Sequence, residues 1–358
     1  MNATATATPT GLATIGLDLA KNVFQVHGAD AHGRVLLRKK LQRSQMAEFF
    51  ARLPPCLVAM EACASAHHWG RKLQALGHQV RLIAPQYVKP YVKSQKNDAA
   101  DAAAICEAAT RPHMRFVALK SIDQQSQLAL HTARSGLIKQ RTALSNQMRG
   151  LLAEFGVVLP KGLARLRQQL PQLLEDASNE LTAVMRQLLE MLRGQLLRLD
   201  EHIGLLERQI RQWAARDERS RRLQHVDGVG PMTASALSAS VGDARQFEDG
   251  RQMTAWLGMV PRQHSSGGKS VLLGITKRGD KYLRTLLIHG ARAALKSYQN
   301  NPQRMPEWVR QLLQRKHPNV VCVAIANRIV RVAWAMLTRG EDYRPELARA
   351  NMQTAQTP

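Results

Sequence analysis

Short strand-like segments alternate with helical ones up to about residue 120, and the strand pattern stops beyond that point. Three strand-like runs come first, and later runs alternate with helical patterns. This is an α/β order, so we predict a mixed sheet with helices packed on it. The predicted strands are 14–20, 23–28, 35–41, 56–62 and 79–83, with helices at 44–53 and 66–76 and an alanine-rich helix from about 97.

From Ile122 to about residue 222 the pattern is entirely helical. Apolar residues recur at steps of three and four between Leu181 and Ile210, which predicts one long amphipathic helix of coiled-coil character. Such a helix either separates and dimerises domains or packs as an ordinary bundle helix. We expect three regions: an α/β domain over 12–120, a helical linker or dimerisation region over 121–222, and a mainly helical domain over 223–345.

The chain is strongly basic, with 51 Lys and Arg against 27 Asp and Glu and a formal net charge of +24. The excess is spread over all three regions, so it is not a property of one tail. A polyanionic partner, nucleic acid first of all, is expected, held by phosphate contacts that weaken as salt rises. A ribosome-associated or merely basic protein is the alternative.

Other classes of protein fit the sequence less well. No uninterrupted apolar stretch is long enough to span a bilayer. The first residues also lack the basic and apolar blocks of a secretory signal. We therefore expect a cytoplasmic protein with no membrane partner. The four cysteines form no Cys-x-x-Cys pair, which argues against structural zinc and predicts reduced, buried thiols. Aromatic residues are only 4% of the chain, which disfavours a module that stacks on bases.

Four acids in the first region lie where an isolated carboxylate is expensive. Asp18 projects from the first predicted strand on the side of its small residues, and Glu61 ends a strand. Asp98 and Asp101 share one face of the alanine-rich helix. Carboxylates converging in this way would repel one another unless divalent cations neutralised them, and an all-oxygen set suits Mg²⁺ or Mn²⁺. Taken singly, each acid could also be an ordinary strand-end or helix-surface charge.

The third region contains two patterns that suit contact with phosphates. Gly228 and Gly230 form a Gly-x-Gly turn between helical segments, followed by Pro231. This looks like a helix-hairpin-helix, whose amides can grip a phosphate, although an ordinary helix connection is the competing interpretation. Further on, a predicted flexible loop before a helix at 282–295 has one acid, Asp280, among several cations. These are Lys269, Lys277, Arg278, Lys281 and Arg284.

Four motifs in this order resemble the DEDD transposases of insertion sequences. They are Gly16-Leu-Asp-Leu-Ala-Lys, Met60-Glu-Ala-Cys-Ala-Ser, Lys96-Asn-Asp-Ala-Ala-Asp-Ala, and Ser-Ser-Gly-Gly-Lys with Ile-Thr-Lys-Arg-Gly-Asp-Lys-Tyr-Leu-Arg. The resemblance covers about 15–345 and is to the IS110 family, in particular its IS1111 branch. It implies a RuvC-like (ribonuclease-H-like) N-terminal domain and a C-terminal transposase domain. The acidic residues of the family motif map onto Asp18, Glu61, Asp98 and Asp101.

The same resemblance implies a serine nucleophile within 264–267, where Ser265 and Ser266 are adjacent. A serine hydroxyl needs a base or a cation to remove its proton before it attacks a phosphodiester. We favour Ser266, since it directly precedes the glycine pair that lets backbone come close to a phosphate. Ser265 remains the alternative. If neither serine reacts, the protein would be a nuclease that uses water.

The resemblance implies a recombinase that excises and inserts its own element through a transient phosphoserine link, assisted by divalent cations at the four acids. It also implies an element-encoded bridge RNA that pairs with donor and target DNA. Because two DNA sites must be brought together, we expect a homodimer or homotetramer, formed through the 181–212 helix, in the nucleoid of the cytoplasm. A structure-specific nuclease and a non-catalytic nucleic-acid-binding protein are the rival hypotheses.

Overall fold

The computed structural model describes residues 11–92, 97–264 and 271–343. They divide into two compact units. The first contains the described residues up to Ile122 together with 241–246, and the second contains 123–240 and the described residues from 247 onward. Ser265, Ser266 and Lys269 lie outside the described residues.

A six-stranded mixed sheet forms the centre of the first unit. Its strands, in chain order, are β1 (Thr14–Leu19), β2 (Val23–Ala29), β3 (Val35–Gln42), β4 (Leu57–Glu61), β5 (Gln79–Ile83) and β6 (Phe116–Val117). The spatial order is β3-β2-β1-β4-β5-β6, in which β1, β4 and β5 run parallel and the remaining neighbours pair antiparallel. The predicted mixed sheet is therefore confirmed. The sequence missed β6, because a two-residue strand has no periodicity to detect.

Helices cover both faces of this sheet, in line with the alternation of side chains along each strand. One face packs its large residues, including Phe24 and Met60, with α1 (Met46–Ala51) and with α2 (Ala66–Ala75), which contributes Trp69. The other face contributes Ala59 of β4 and Ile83 of β5 and packs against α3 (Pro85–Val88) and α4 (Asp98–Ala109). The small side chains of α4 let the helix lie close to the sheet, as the alanine-rich sequence predicted.

The second unit is mostly helical in its described part, as predicted. Its helices are α5 (Ile122–Ala153), α6 (Leu163–Glu175), α7 (Ala183–Arg216), α8 (Glu218–Leu223), α9 (Pro231–Val241), α10 (Gly250–Trp256), α11 (Lys281–Asn300), α12 (Glu307–Arg315) and α13 (Pro318–Arg339). The predicted flexible loop is wrong for its described part, where β7 (Pro261–Gln263) pairs with β8 (Leu272–Ile275). The four-residue strand β8 was missed because the glycines and cations on either side of it are typical of a loop.

The long amphipathic helix predicted between 181 and 210 is α7, and much of its apolar stripe packs within the same chain. Leu189, Leu192 and Leu196 join a core with residues of α5 and α6. Arg134 and Arg141 of α5 form ion pairs with Glu207 and Asp200 of α7. Val184, Met191 and Leu205 of α7 are exposed instead. One face of α7 therefore packs as an ordinary bundle helix would. The exposed apolar residues Val184, Met191 and Leu205 lie on the rest of the helix surface.

One described helix, α13, is long and apolar enough to cross a membrane by length and composition alone, with a mean hydropathy of 1.8 in its most apolar window. Its buried residues recur at helical spacing from Val321 to Met336, and the helix packs with α10 and α11. A core helix of a soluble protein passes the same test, so α13 is weak support for a membrane span.

Candidate active site and nucleic-acid interface

Asp18 and Glu61 occupy neighbouring positions at the ends of two parallel strands. Leu17 of β1 pairs with Met60 of β4, so the next residue on each strand is an acid. Both carboxylates are half-buried. Because side chains alternate between faces, these two point to the side of the sheet that carries Gly16 and α4. The sheet register therefore places two of the predicted acids side by side.

The other two acids reach this position on α4. A Cβ atom on Gly16 would lie 2.1 Å from the carbonyl oxygen of Ala102, so the helix backbone rests directly on β1. Asn97 caps the helix, and its side chain accepts a hydrogen bond of 2.8 Å from the Ala100 amide. Asp98 and Asp101 follow in the first turn, with Asp98 exposed and Asp101 half-buried.

Electrostatics show that the four acids share one neighbourhood. Burial, followed by the negative charges of Asp101, Asp98 and Glu61 in that order of effect, raises the pKa of Asp18 to about 6. Cys63 belongs to the same surroundings, since burial and the charges of Glu61 and Asp18 raise the pKa of its thiol. Cys63 is half-buried, which corrects the prediction that all four thiols are buried; the other three are.

The donor chemistry of this cluster fits a hard divalent cation, because it offers carboxylate oxygens whose mutual repulsion a cation would relieve. Among the described residues, no three or more His, Cys, Asp or Glu side chains are grouped so that they could hold a metal ion.

Gly16 sets the distance between α4 and the sheet, and we expect Gly16→Ala to lower the free energy of unfolding by about 3 kcal/mol. The added methyl group would have to displace helix backbone, which also carries Asp98 and Asp101 away from Asp18. Urea unfolding of the full chain measures this effect. Gly274→Ala is the matched control, since a Cβ atom there meets nothing within 4 Å. Equal losses of stability in the two variants would contradict the close contact.

The Gly-x-Gly turn lies between α8 and α9 and is held against α11. Gly228 has a φ of +86°, which favours glycine, and a Cβ atom on Gly290 would lie 1.9 Å from the Gly228 carbonyl oxygen. Beside the turn is a cavity of about 400 Å³, lined among others by Gly230, Thr233 and His289. Thr233 is 5% exposed, and sequence reasoning did not find it. The α9 amides at this cavity could receive an anion.

The cationic segment before α11 is anchored through its backbone. The Lys277 amide donates a hydrogen bond of 2.9 Å to the Gly258 carbonyl, and a Cβ atom on Gly279 would lie 2.1 Å from the Trp256 carbonyl oxygen. Asp280, the segment's one acid, accepts bonds from two amides of α11 and so caps that helix. The capping acid leaves Lys277 and its neighbours as a cationic surface.

The predicted phosphate-binding cations differ in their surroundings. Lys277, Arg278 and Lys281 are exposed to solvent. Arg284 is half-buried, and its guanidinium donates hydrogen bonds of 2.9 and 3.1 Å to the carbonyls of Leu257 and Gly279. Arg284 therefore fixes the segment that carries the other cations.

A buried histidine that sequence reasoning missed supports the start of α11. His131 of α5 lies 3.0 Å from the Tyr282 hydroxyl and 2.8 Å from the Ser235 hydroxyl. Burial, followed by the nearby Arg134, lowers the pKa of His131 to about 4, so the ring is neutral near pH 7. These hydrogen bonds join α5, α9 and α11. No local sequence signal marks such a long-range contact.

Comparison with known proteins gives matches over most of the chain. Residues 220–306 match the model of the "Transposase IS116/IS110/IS902 family", and residues 15–156 match a DEDD transposase model of the IS110 type. A protein of Pseudomonas aeruginosa named "Probable family 20 transposase" is 54% identical, with 93% of this chain and 99% of that protein covered.

Two further relatives are transposases of named elements. The transposase of insertion sequence IS1111A of Coxiella burnetii is 47% identical, with 92% of this chain and 91% of the relative covered. The transposase of insertion sequence IS1328 of Yersinia enterocolitica is 45% identical, with 91% of this chain and 97% of the relative covered. These identities extend through both compact units.

Proposed function

We propose that the chain cleaves DNA at the acid cluster of its first unit. The premise is that it belongs to the IS116/IS110/IS902 family of transposases and is therefore a DNA-cleaving and rejoining enzyme. The observation that carries this proposal is the electrostatic coupling of Asp18 to Asp101, Asp98 and Glu61 where β1 and β4 end. Four carboxylates close enough to affect one another's charge, in a chain of net charge +24, suit cation-assisted phosphodiester chemistry.

In this proposal the four acids bind Mg²⁺ or Mn²⁺. A divalent cation bound there would promote deprotonation of a hydroxyl nucleophile and neutralise charge on the leaving oxygen. The residues' own contribution is positioning, since β1 and β4 hold Asp18 and Glu61 in register and α4 brings the other two acids. We assign the unit to the RuvC-like, ribonuclease-H-like class. Its strand order supports that assignment: β3, β2 and β1 pair antiparallel, β4 and β5 then run parallel to β1, and β6 closes the edge antiparallel to β5.

The nucleophile in this proposal is the Ser266 hydroxyl, with Ser265 as the alternative. Attack of the serine oxygen on a DNA phosphorus forms a phosphoserine bond and releases a DNA hydroxyl. Attack of a DNA hydroxyl on that phosphoserine reverses the bond change, restores the serine and joins the new ends. The phosphoserine bond retains the bond energy of the cleaved phosphodiester, so the rejoining step needs no separate energy source.

DNA is positioned, in this proposal, by phosphate contacts of the second unit. The turn at Gly228 and Gly230 acts as a helix-hairpin-helix, supported by the cavity that lies beside it at the start of α9. Lys277, Arg278 and Lys281, together with Lys269, bind further phosphates, and Arg284 holds their segment in place.

We further propose that a structured guide RNA from the element selects donor and target DNA by base pairing, while the protein binds shape and charge. A homodimer or homotetramer would form through α7, whose exposed Val184 and Met191 support this role. The three functional regions are 12–120 for metal-dependent cleavage, 121–222 for assembly and 223–345 for the serine and DNA contacts. The enzyme would work in the cytoplasm, on nucleoid DNA.

The test is to incubate the full-length chain with Mg²⁺, element-derived RNA and a labelled DNA that spans an element end. We expect label attached to the polypeptide, sensitive to protease and dependent on both the metal and the RNA. Cleavage without attached label would favour a nuclease that uses water. No cleavage, with DNA binding intact, would favour a non-catalytic protein. Labelling that is equal with and without the RNA would reject the guide.

A further inference from the structure

The sheet register extends from the acid cluster toward the edge of the first unit. Asp18 of β1 pairs with Gln25 of β2, and Gln25 pairs with Lys40 of β3. Directly paired residues point to the same face of a sheet. One pair further along the strands, His27 pairs with Arg38. The side chains of Gln25, Lys40, His27 and Arg38 therefore continue the face that carries the acids.

This part of the sheet face is open to solvent. The core on this side is built from β4, β5 and the helices α3 and α4, and it includes no residue of β3. Lys40 and Arg38 are exposed, whereas Gln25 is half-buried beside the acids. The exposed part of this face therefore lies at β3, since α4 packs against both β1 and β2.

Two cations on this face are not neutralised by the protein. Within the described residues, the side chains of Lys40 and Arg38 form no ion pair, although their backbones belong to the β2–β3 ladder. Arg34, which precedes the same strand, differs, since its guanidinium is paired with Asp30 at 2.8 Å. Two unpaired cations next to a strongly anionic cluster are a suitable surface for an anion that spans both.

Spacing decides what kind of anion fits. Neighbouring strands lie about 4.8 Å apart, which puts the Lys40 backbone about 10 Å from that of Asp18. This distance corresponds to two or three phosphates of one duplex strand, at about 3.4 Å of helix axis each. A small anion could not reach from the acids to Lys40, whereas a DNA strand could. Gln25 lies between them and offers a neutral side-chain amide as a hydrogen-bond donor. Because the amide carries no charge, it does not form an ion pair with the acids.

We propose that Gln25, Lys40 and Arg38 bind the phosphate backbone of the DNA strand on one side of the cleavage site and align that strand with the acids. This assignment rests on the proposed function for the location of cleavage. The ligand is DNA because the acids act on DNA. The three residues are positioning residues, since they contact phosphates other than the one that reacts.

The chain offers a matched control on the same strand. Lys39 pairs with Val26 and so points to the opposite face, where its ammonium lies 5.2 Å from the centre of the Phe49 ring. Lys40→Gln and Lys39→Gln remove the same charge from adjacent positions of one edge strand. If DNA binds along the face that carries the acids, only Lys40→Gln should weaken DNA binding. A general electrostatic effect would instead weaken DNA binding equally in both variants.

The first experiment measures DNA affinity of the full-length chain by fluorescence anisotropy in EDTA, against a duplex that spans the element end, over a range of salt. Lys40→Gln is expected to weaken binding roughly fivefold at physiological salt and to reduce the salt slope by about 0.9, the amount for one phosphate contact. Lys40→Arg should restore the slope, and Arg38→Gln should act as Lys40→Gln does. Equal slopes for Lys40→Gln and Lys39→Gln would overturn the proposal.

A second experiment locates the contact on the DNA. Neutral methylphosphonate linkages are placed one at a time near the cleavage site, and affinity is measured for wild type and Lys40→Gln. One position, two or three nucleotides from the cleaved phosphate, should weaken wild type and leave Lys40→Gln unaffected. Sensitivity to each methylphosphonate position that is identical in both proteins would overturn the proposal. Because EDTA removes catalysis, failure of metal-dependent cleavage would not mimic either result.

Discussion

Replacing Asp18 with asparagine is expected to abolish metal-dependent DNA cleavage, by at least about a thousandfold, while making the fold more stable. Asparagine keeps the shape of aspartate and removes its charge, so a cation loses a carboxylate ligand that stabilises the transition state. In the metal-free protein that same charge is unfavourable, because burial and three neighbouring acids hold the pKa of Asp18 at about 6. Well above that pH, the substitution should stabilise the fold by about 1–2 kcal/mol, allowing for partial solvent screening.

Two measurements separate this result from ordinary damage. Urea unfolding without metal, well above pH 6, should give Asp18→Asn the higher free energy of unfolding. Adding Mn²⁺ should raise the melting temperature of wild type and leave the variant unchanged, since a ligand stabilises only the state that binds it.

Asp30→Asn is the control for the Asp18 substitution. The Asp30 carboxylate accepts hydrogen bonds from the amides of His32 and Arg34 and pairs with the Arg34 guanidinium, which keeps its pKa low. This variant should therefore lose stability and keep both cleavage and the response to Mn²⁺. An Asp18→Asn protein that is less stable than wild type, or that Mn²⁺ still stabilises, would refute the acid cluster.

The second large effect concerns the serines. Ser266→Ala is expected to remove the covalent link between protein and DNA and to reduce strand exchange by roughly ten-thousandfold, because alanine has no oxygen to attack the phosphorus. Ser265→Ala should retain most of the activity. The readouts are the labelled polypeptide and the recombined DNA, with peptide mapping of the modified residue in wild type.

Ser270→Ala, in the same Gly-rich segment, is the matched control and should behave as wild type. Loss of the link in Ser265→Ala alone would assign the nucleophile to Ser265. Full cleavage by the Ser265→Ala, Ser266→Ala double variant would reject a serine nucleophile and leave water as the attacking group. DNA affinity in EDTA should remain at the wild-type level in all of these proteins.

Local sequence patterns were sufficient for most elements of the first unit. The strands at 14–20 and 56–62 have alternating or continuous apolar residues bounded by polar ones, and the structure has β1 and β4 there. The alanine-rich run from about 97 was enough to predict α4 and its close approach to the sheet. These features succeed because periodicity and side-chain size act over a few residues and leave a direct signal in the sequence.

Features that depend on partners far along the chain were missed or only half predicted. The hairpin of β7 and β8 exists because two short segments pair, and neither is distinctive by itself. The stripe on α7 was visible, but the sequence did not tell that Leu189 and Leu196 would pack on α5 and α6 while Met191 stayed exposed. His131 and Tyr282 are 151 positions apart, and only folding brings them within 3.0 Å.

By itself, the sequence determined most of the secondary structure of the first unit, the strongly basic character of the chain and the motifs that identify its transposase family. Only the tertiary structure decided which side chains share a surface: Glu61 beside Asp18, and Lys40 on the same face as both. The physical reason is that strand register is set by pairing across the sheet. A shift of one residue would turn every one of these side chains to the opposite face.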